Sequence, residues 1–124
     1  MKVIYCPVDA PAAVREVPDA YPGIRDLIGG WIEIVRPRLL PPELVMIVDE
    51  EGLLKELPIN LIGTHLYGIN APTPIVGPVV IAAEGIVDGE PDVIGLTDAQ
   101  CDDLLSRYLP RFIRMTLPDG CETI

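Results

Sequence analysis

Gly29-Gly30-Trp31-Ile32-Glu33-Ile34-Val35, followed after a proline-rich connection by Leu44-Val45-Met46-Ile47-Val48, is the stretch that decides the fold. Upstream, Ile24, Leu27 and Ile28 have the i, i+3, i+4 spacing of one buried helix face, and Pro22 suits the first turn of a short helix. Gly29 is where that helix stops, because glycine enters the left-handed region without steric cost. Gly30 then releases the chain into a strand, Trp31 to Arg36, with Trp31, Glu33 and Val35 on one side and Ile32 and Ile34 on the other. Pro37 and Pro41-Pro42 end that strand. Leu44 to Val48 is apolar at every position, as a central strand covered on both faces would be. The two strands are expected to pair antiparallel.

Working outward, Lys2–Val8 and Ala13–Val17 read as strands, with Asp9-Ala10-Pro11 as the turn of a hairpin. Asp49-Glu50-Glu51-Gly52 reads as a solvated turn, and a short helical turn is expected around Asn60 to Leu66. Ile75–Ala83 is a further strand in which Pro78 implies a bulge or an edge. Glu84–Gly95 reads as a loop with a minor strand at Ile86-Val87. The clearest helix begins at Thr97-Asp98-Ala99-Gln100, a capping box. Cys101, Leu104, Leu105, Tyr108 and Leu109 continue it at one-face spacing to Pro110. Ile113 to Leu117 would add a last edge strand. The expected architecture is a single α+β domain over residues 1–124: a mainly antiparallel sheet of about five strands, one short helix and one longer C-terminal helix.

Composition bounds the function. The 124 residues are 49% hydrophobic with one Phe, one Trp and four Tyr, so the core is aliphatic. A net charge of −10 argues against binding duplex nucleic acid, which needs Lys and Arg to displace counterions, and favours solubility or a basic protein partner. No apolar run approaches the roughly 20 residues of a membrane span and the N-terminus lacks a signal-peptide core, so a cytoplasmic protein is expected. Cys6, Cys101 and Cys121 are odd in number and widely spaced, which fits buried free thiols in a reducing compartment. With the single histidine, His65, they match no metal-site spacing, and no glycine-rich phosphate loop is present, so neither metal nor cofactor is expected. Edge strands on a short aliphatic chain favour self-association as a symmetric homo-oligomer.

The polar residues that could carry function are few. Glu33 beside Trp31 is either a half-buried carboxylate needing a partner or, on an open face, an acceptor next to a stacking ring. Asn60, His65 and Tyr67 form a second cluster in a constrained segment, where ordering the loop and binding a ligand are both open. Arg36, Arg38 and Lys55 could supply phosphate contacts. The only serine, Ser106, lies inside the capped helix, so nucleophilic catalysis has little to work with.

Ile28-Gly29-Gly30-Trp31-Ile32-Glu33, Asp49-Glu50-Glu51-Gly52-Leu53-Leu54-Lys55, Leu57-Pro58-Ile59-Asn60, Leu66-Tyr67-Gly68, Ile75-Val76-Gly77 and Leu96-Thr97-Asp98 form one collinear pattern. From about Ile24 to Leu109 it resembles the uncharacterised family called domain of unknown function 3846. The chain departs from that pattern after Asn60, where an arginine and an alanine are common and Leu61 and Ile62 stand. Members occur in phages, plasmids and other mobile elements of bacteria and in their hosts. The resemblance implies an accessory protein that acts on host defence in the bacterial cytosol and has no established catalytic residue. The expected function is therefore a non-enzymatic binding protein, a counter-defence factor sequestering a nucleotide-like immune signal at Trp31, Glu33, Arg36, Arg38, Lys55, Asn60, His65 and Tyr67. The alternatives are an acidic inhibitor or adaptor of a host protein and a small enzyme that uses Glu33 as a buried carboxylate.

Overall fold

The computed structural model describes residues 1–18, 20–68 and 72–109. The strand expected at Ile113–Leu117, the helix stop at Pro110, and Cys121 lie outside the described residues.

Among the described residues six strands form one antiparallel sheet: β1 (Lys2–Cys6), β2 (Ala13–Glu16), β3 (Ile32–Val35), β4 (Leu44–Asp49), β5 (Val79–Val87) and β6 (Glu90–Ile94). Their order is β2-β1-β5-β4-β3, and β6 pairs with the second half of β5. The α+β architecture with a mainly antiparallel sheet is therefore as expected, and so is the β3–β4 pair, with Ile34 opposite Ile47.

β4 is buried at all six positions because both faces of the sheet are covered. Leu44, Met46 and Val48 face a cluster completed by Ile4, Val79 and Ile81 and closed by Ile62 and Leu66 of α2 (Leu61–Tyr67). Cys101 and Leu104, on the C-terminal helix, pack into the same cluster. Val45 and Ile47 face the other way, with Val3, Val80 and Ala82, onto Ile24 and Ile28 of α1 (Ala20–Ile28). The period-two alternation of β4 thus feeds two aliphatic cores, and the sheet is the middle of three layers.

The C-terminal helix starts as the capping box requires: Thr97 Oγ1 accepts from Gln100 N at 3.0 Å, and Gln100 Oε1 accepts from Thr97 N at 2.8 Å. α3 (Asp98–Asp103) runs directly into a π-helical turn, Leu104–Tyr108, ended by Leu109 N donating to Leu104 O at 3.0 Å. This helical stretch is the longest of the described residues, as expected.

Two local expectations change. Residues 84–95 are not a loop: β5 continues to Val87 and folds back as β6 through Asp88 and Gly89, both at positive φ (52° and 83°). That is the geometry an Asp-Gly hairpin turn favours. Pro78 does not sit within the strand but immediately before it, where its missing N–H costs the ladder nothing.

The Asp49-Glu50-Glu51-Gly52 segment is also not simply a solvated tip. The Asp49 carboxylate is 1% exposed; it accepts from Glu51 N at 2.8 Å and from Lys55 Nζ at 2.7 Å. The glycine pair belongs to the same joint. Gly29 stops α1 with φ +88° and an N–H bonded to Arg25 O at 2.8 Å. Gly30 has no room for a side chain, since a Cβ there would stand 2.5 Å from Lys55 Nζ and 3.1 Å from Asp49 Oδ2. Among the described residues no helix is long and apolar enough to cross a membrane.

Candidate functional site

A groove of about 520 Å³ runs along β3, lined by Glu33, Ile34, Val35, Arg36, Arg38, Tyr67 and Pro72. A smaller cavity of about 170 Å³ shares Glu33, Val35 and Tyr67 with it and adds Glu50, Leu53 and Thr73. Their combined wall comes from the sheet edge on one side and from the end of α2 and the segment after it on the other.

Each wall is held locally. Glu33 and Val35 pair with Val48 and Met46 of β4, so they share the sheet face on which α2 packs, and Val35 and Tyr67 rest against that core. The connection after β3 is tied to α2 by Leu39 N donating to Leu66 O at 3.2 Å. This bond brings Arg38 beside Tyr67. Glu33 is exposed, so of its two expected environments it takes the open one.

Four of the eight expected residues therefore meet: Glu33, Arg36, Arg38 and Tyr67. Arg36 is already engaged, because its Nη1 and Nη2 hold both carboxylate oxygens of Glu84 at 2.9 Å each. That hydrogen-bonded pair raises the Arg36 pKa and lowers that of Glu84. Arg38 makes no ion pair among the described residues.

The other four lie elsewhere. Trp31 is 58% exposed and stands one residue before β3, with the Arg25 guanidinium 4.7 Å from its ring centre, a cation–π contact outside the groove. Lys55 is bound to Asp49. Asn60, 1% exposed, is a structural joint. Its Oδ1 caps α2 by accepting from Gly63 N at 2.9 Å, and its Nδ2 donates to Cys6 O and Gly77 O at 3.0 Å each. It ties the start of α2 to the end of β1 and to the entry of β5, and so orders this segment. His65 sits half-buried on α2 and does not line the groove.

The residues missed from sequence are Ile34, Val35 and Pro72 in the groove and, among others, Glu50, Leu53 and Thr73 in the smaller cavity. Ile34 carried a signal: it stands on an edge strand, where backbone groups are unpaired. The others carried none.

The thiols are placed as expected where they are described. Cys6 is fully buried, and burial pushes its pKa up to about 12; Cys101 is buried and its pKa is raised by the same cause. Among the described residues no three His, Cys, Asp or Glu are grouped to hold a metal ion.

Six residues of the collinear motifs are joints of this fold: the Gly29-Gly30 stop, the Asp49–Lys55 pair, the Asn60 cap and the Thr97 capping box. Comparison with curated proteins and with solved structures returned no match. The model of a family described as domain of unknown function (DUF3846) matches residues 1–109, further toward the N-terminus than the motifs reach, and the chain belongs to that family.

Proposed function

We propose that this protein is a non-enzymatic accessory factor that binds a partner protein through the groove along β3 and acts as its inhibitor or adaptor. The observation behind this role is the position of the groove. It opens on the last strand of the sheet, with the carboxylates Glu33 and Glu50 toward one end and Arg38, uncommitted to any acid among the described residues, at the other. The net charge of −10 adds long-range attraction to a basic surface. The mobile-element setting of similar proteins makes a component of bacterial host defence the expected partner, met in the host cytosol.

Capture from host lysate tests this when run in parallel with the Glu33→Ala/Arg38→Ala double variant. A protein held by the native chain, lost from the double variant and released as salt rises is the expected result. Equal capture by both proteins, or none by either, overturns it.

A second reading has one observation in its favour. Tyr67, Glu33 and Arg38 offer an aromatic ring, an acceptor and a cation around a groove within the usual ~300–1,000 Å³ of small-ligand sites, which suits a nucleotide-like signal. Calorimetry against linear and cyclic nucleotides decides it. No heat at protein concentrations above ~100 μM, where Kd corresponds to only ~5.5 kcal/mol, removes sequestration of such a signal from consideration.

A further inference from the structure

We propose that the partner docks by strand addition: one of its extended segments lies antiparallel along β3, with an acidic residue toward the segment's N-terminal end and a basic residue toward its C-terminal end. This rests on the groove being a protein-binding site, and it specifies how that site works.

The phase of the β3–β4 ladder carries the proposal. Glu50 N donates to Trp31 O at 2.9 Å, and the pairing register then continues through Glu33 opposite Val48 and Val35 opposite Met46. In an antiparallel ladder the residues whose backbone groups meet the partner strand alternate with residues whose groups point away. Trp31, Glu33 and Val35 therefore turn their N–H and C=O toward β4, and Ile32 and Ile34 turn theirs outward. β3 is terminal in the sheet order, so among the described residues no strand receives them. The outward edge at Ile34 lies in the wall of the 520 Å³ groove, facing Tyr67 and Pro72. Backbone groups that no described strand pairs, opening into a walled channel, are what an added strand requires.

An antiparallel direction fixes the order of the charges. β3 runs from Glu33 toward Arg38, so an antiparallel newcomer has its N-terminal end beside Arg38 and its C-terminal end beside Glu33 and Glu50. Opposite charges across adjacent strands stabilise the pair, and like charges oppose it. Arg36 does not compete for the acidic residue because Glu84 holds it. Arg38 is kept in place by its own stem: a Cβ on Gly68 would stand 3.2 Å from Arg38 Cδ, so the backbone there lies directly against it.

A second copy of β3 fits less well. Every two-fold register that pairs the outward groups sets Glu33 against Trp31, Val35, Pro37 or the other Glu33, and gives Arg38 no carboxylate. A partner segment with the stated charges satisfies both ends.

The test uses a displayed library of random peptides, each about ten residues long to overrun a strand of ordinary length, selected on the immobilised full chain. An enriched peptide is then synthesised together with its charge-reversed version. Enriched sequences should alternate apolar and polar residues, with the acid first and the base later. Charge reversal should weaken binding about tenfold or more. Ile34→Pro deletes an outward N–H while sparing the β4 ladder, and should weaken binding by a similar factor. In the unmodified protein, amide exchange at Ile34 should slow when the peptide binds, while Glu33, already bonded to Val48, stays unchanged; this readout holds whether or not Ile34→Pro folds.

No enrichment, equal binding to Ile34→Pro, or unchanged exchange at Ile34 overturns strand addition. If Glu33→Ala/Arg38→Ala abolishes peptide binding while Ile34 exchange is unmoved, the groove still binds protein but not by this mode. A chain that is dimeric in solution and becomes monomeric with Ile34→Pro makes the occupant a second copy and likewise overturns the proposal.

Discussion

Arg36 grips both oxygens of Glu84 at 2.9 Å and so ties the end of β3 to the middle of β5 across the intervening β4. Glu84 is the titrating member, and its pKa is lowered first by the hydrogen bond from Arg36. A carboxylate whose folded pKa lies below its unfolded one adds stability that is present above the unfolded value and lost as pH falls through the folded value. Glu84→Gln should therefore lower the urea midpoint at neutral pH. The gap to the native chain should begin to close as pH falls below the ordinary glutamate value of 4.5, and vanish once pH lies below the lowered folded value. Urea melts of both proteins across that range check it.

Asn60→Ala removes a helix cap and strands two buried carbonyls, on Cys6 and Gly77. A cap contributes about 1 kcal/mol and each orphaned group about 1 kcal/mol or more, so a loss of roughly 3 kcal/mol is expected. Asn60→Asp keeps the cap acceptor, loses both donations and introduces a buried charge, and should be no better. Chemical denaturation of the two variants gives the comparison.

Lys55→Met should destabilise the fold by ~2 kcal/mol, below the full figure for a buried pair because Lys55 itself is partly exposed while the Asp49 carboxylate it leaves behind is not. Gly30→Ala should approach the same loss by a different route, forcing the ammonium off Asp49 with a methyl group. Because both act on one contact, the double variant should cost less than the sum. A double-mutant cycle measured by denaturation reads this directly.

In a Cys121→Ser background, the two remaining thiols should resist a thiol-exchange reagent in the folded protein and react at once in denaturant. The thiolate is the reactive form, and with Cys6 pushed up to about 12 almost none is present at neutral pH. Reaction of Cys6 at the rate of a free thiol would mean that the core around β1 opens readily.

Much of this fold was legible from local patterns because those patterns are physically sufficient. A short apolar run rich in β-branched residues and bounded by turn residues reads as a strand covered on both faces, and β4 is one. Thr97 and Gln100 close a capping box within four residues, so nothing distant can alter it. β6 was missed because its Glu90, Pro91 and Asp92 have loop composition, and Val93 is the one residue of the strand that enters a core.

Asp49 was misjudged for a related reason. It opens an acidic run, and its burial depends on Lys55 and on the shape of the backbone at Gly30. Trp31 keeps the backbone phase of Glu33 through its bond to Glu50, but its ring stands against Arg25 outside the groove, a tertiary contact with no local mark. Arg38 and Tyr67 meet through the Leu39–Leu66 backbone bond, another such contact.

The central place of β5 also sets an order of assembly. β1 with β2, and β4 with β3, are hairpins made early in the chain, yet the sheet joins them only through residues 79–83. Two-stranded hairpins are marginal alone. As the polypeptide leaves the ribosome, both must wait, incompletely covered, for a strand made after them. That arrival is the step that commits the chain to its fold, and its long-range pairings make it a slow one.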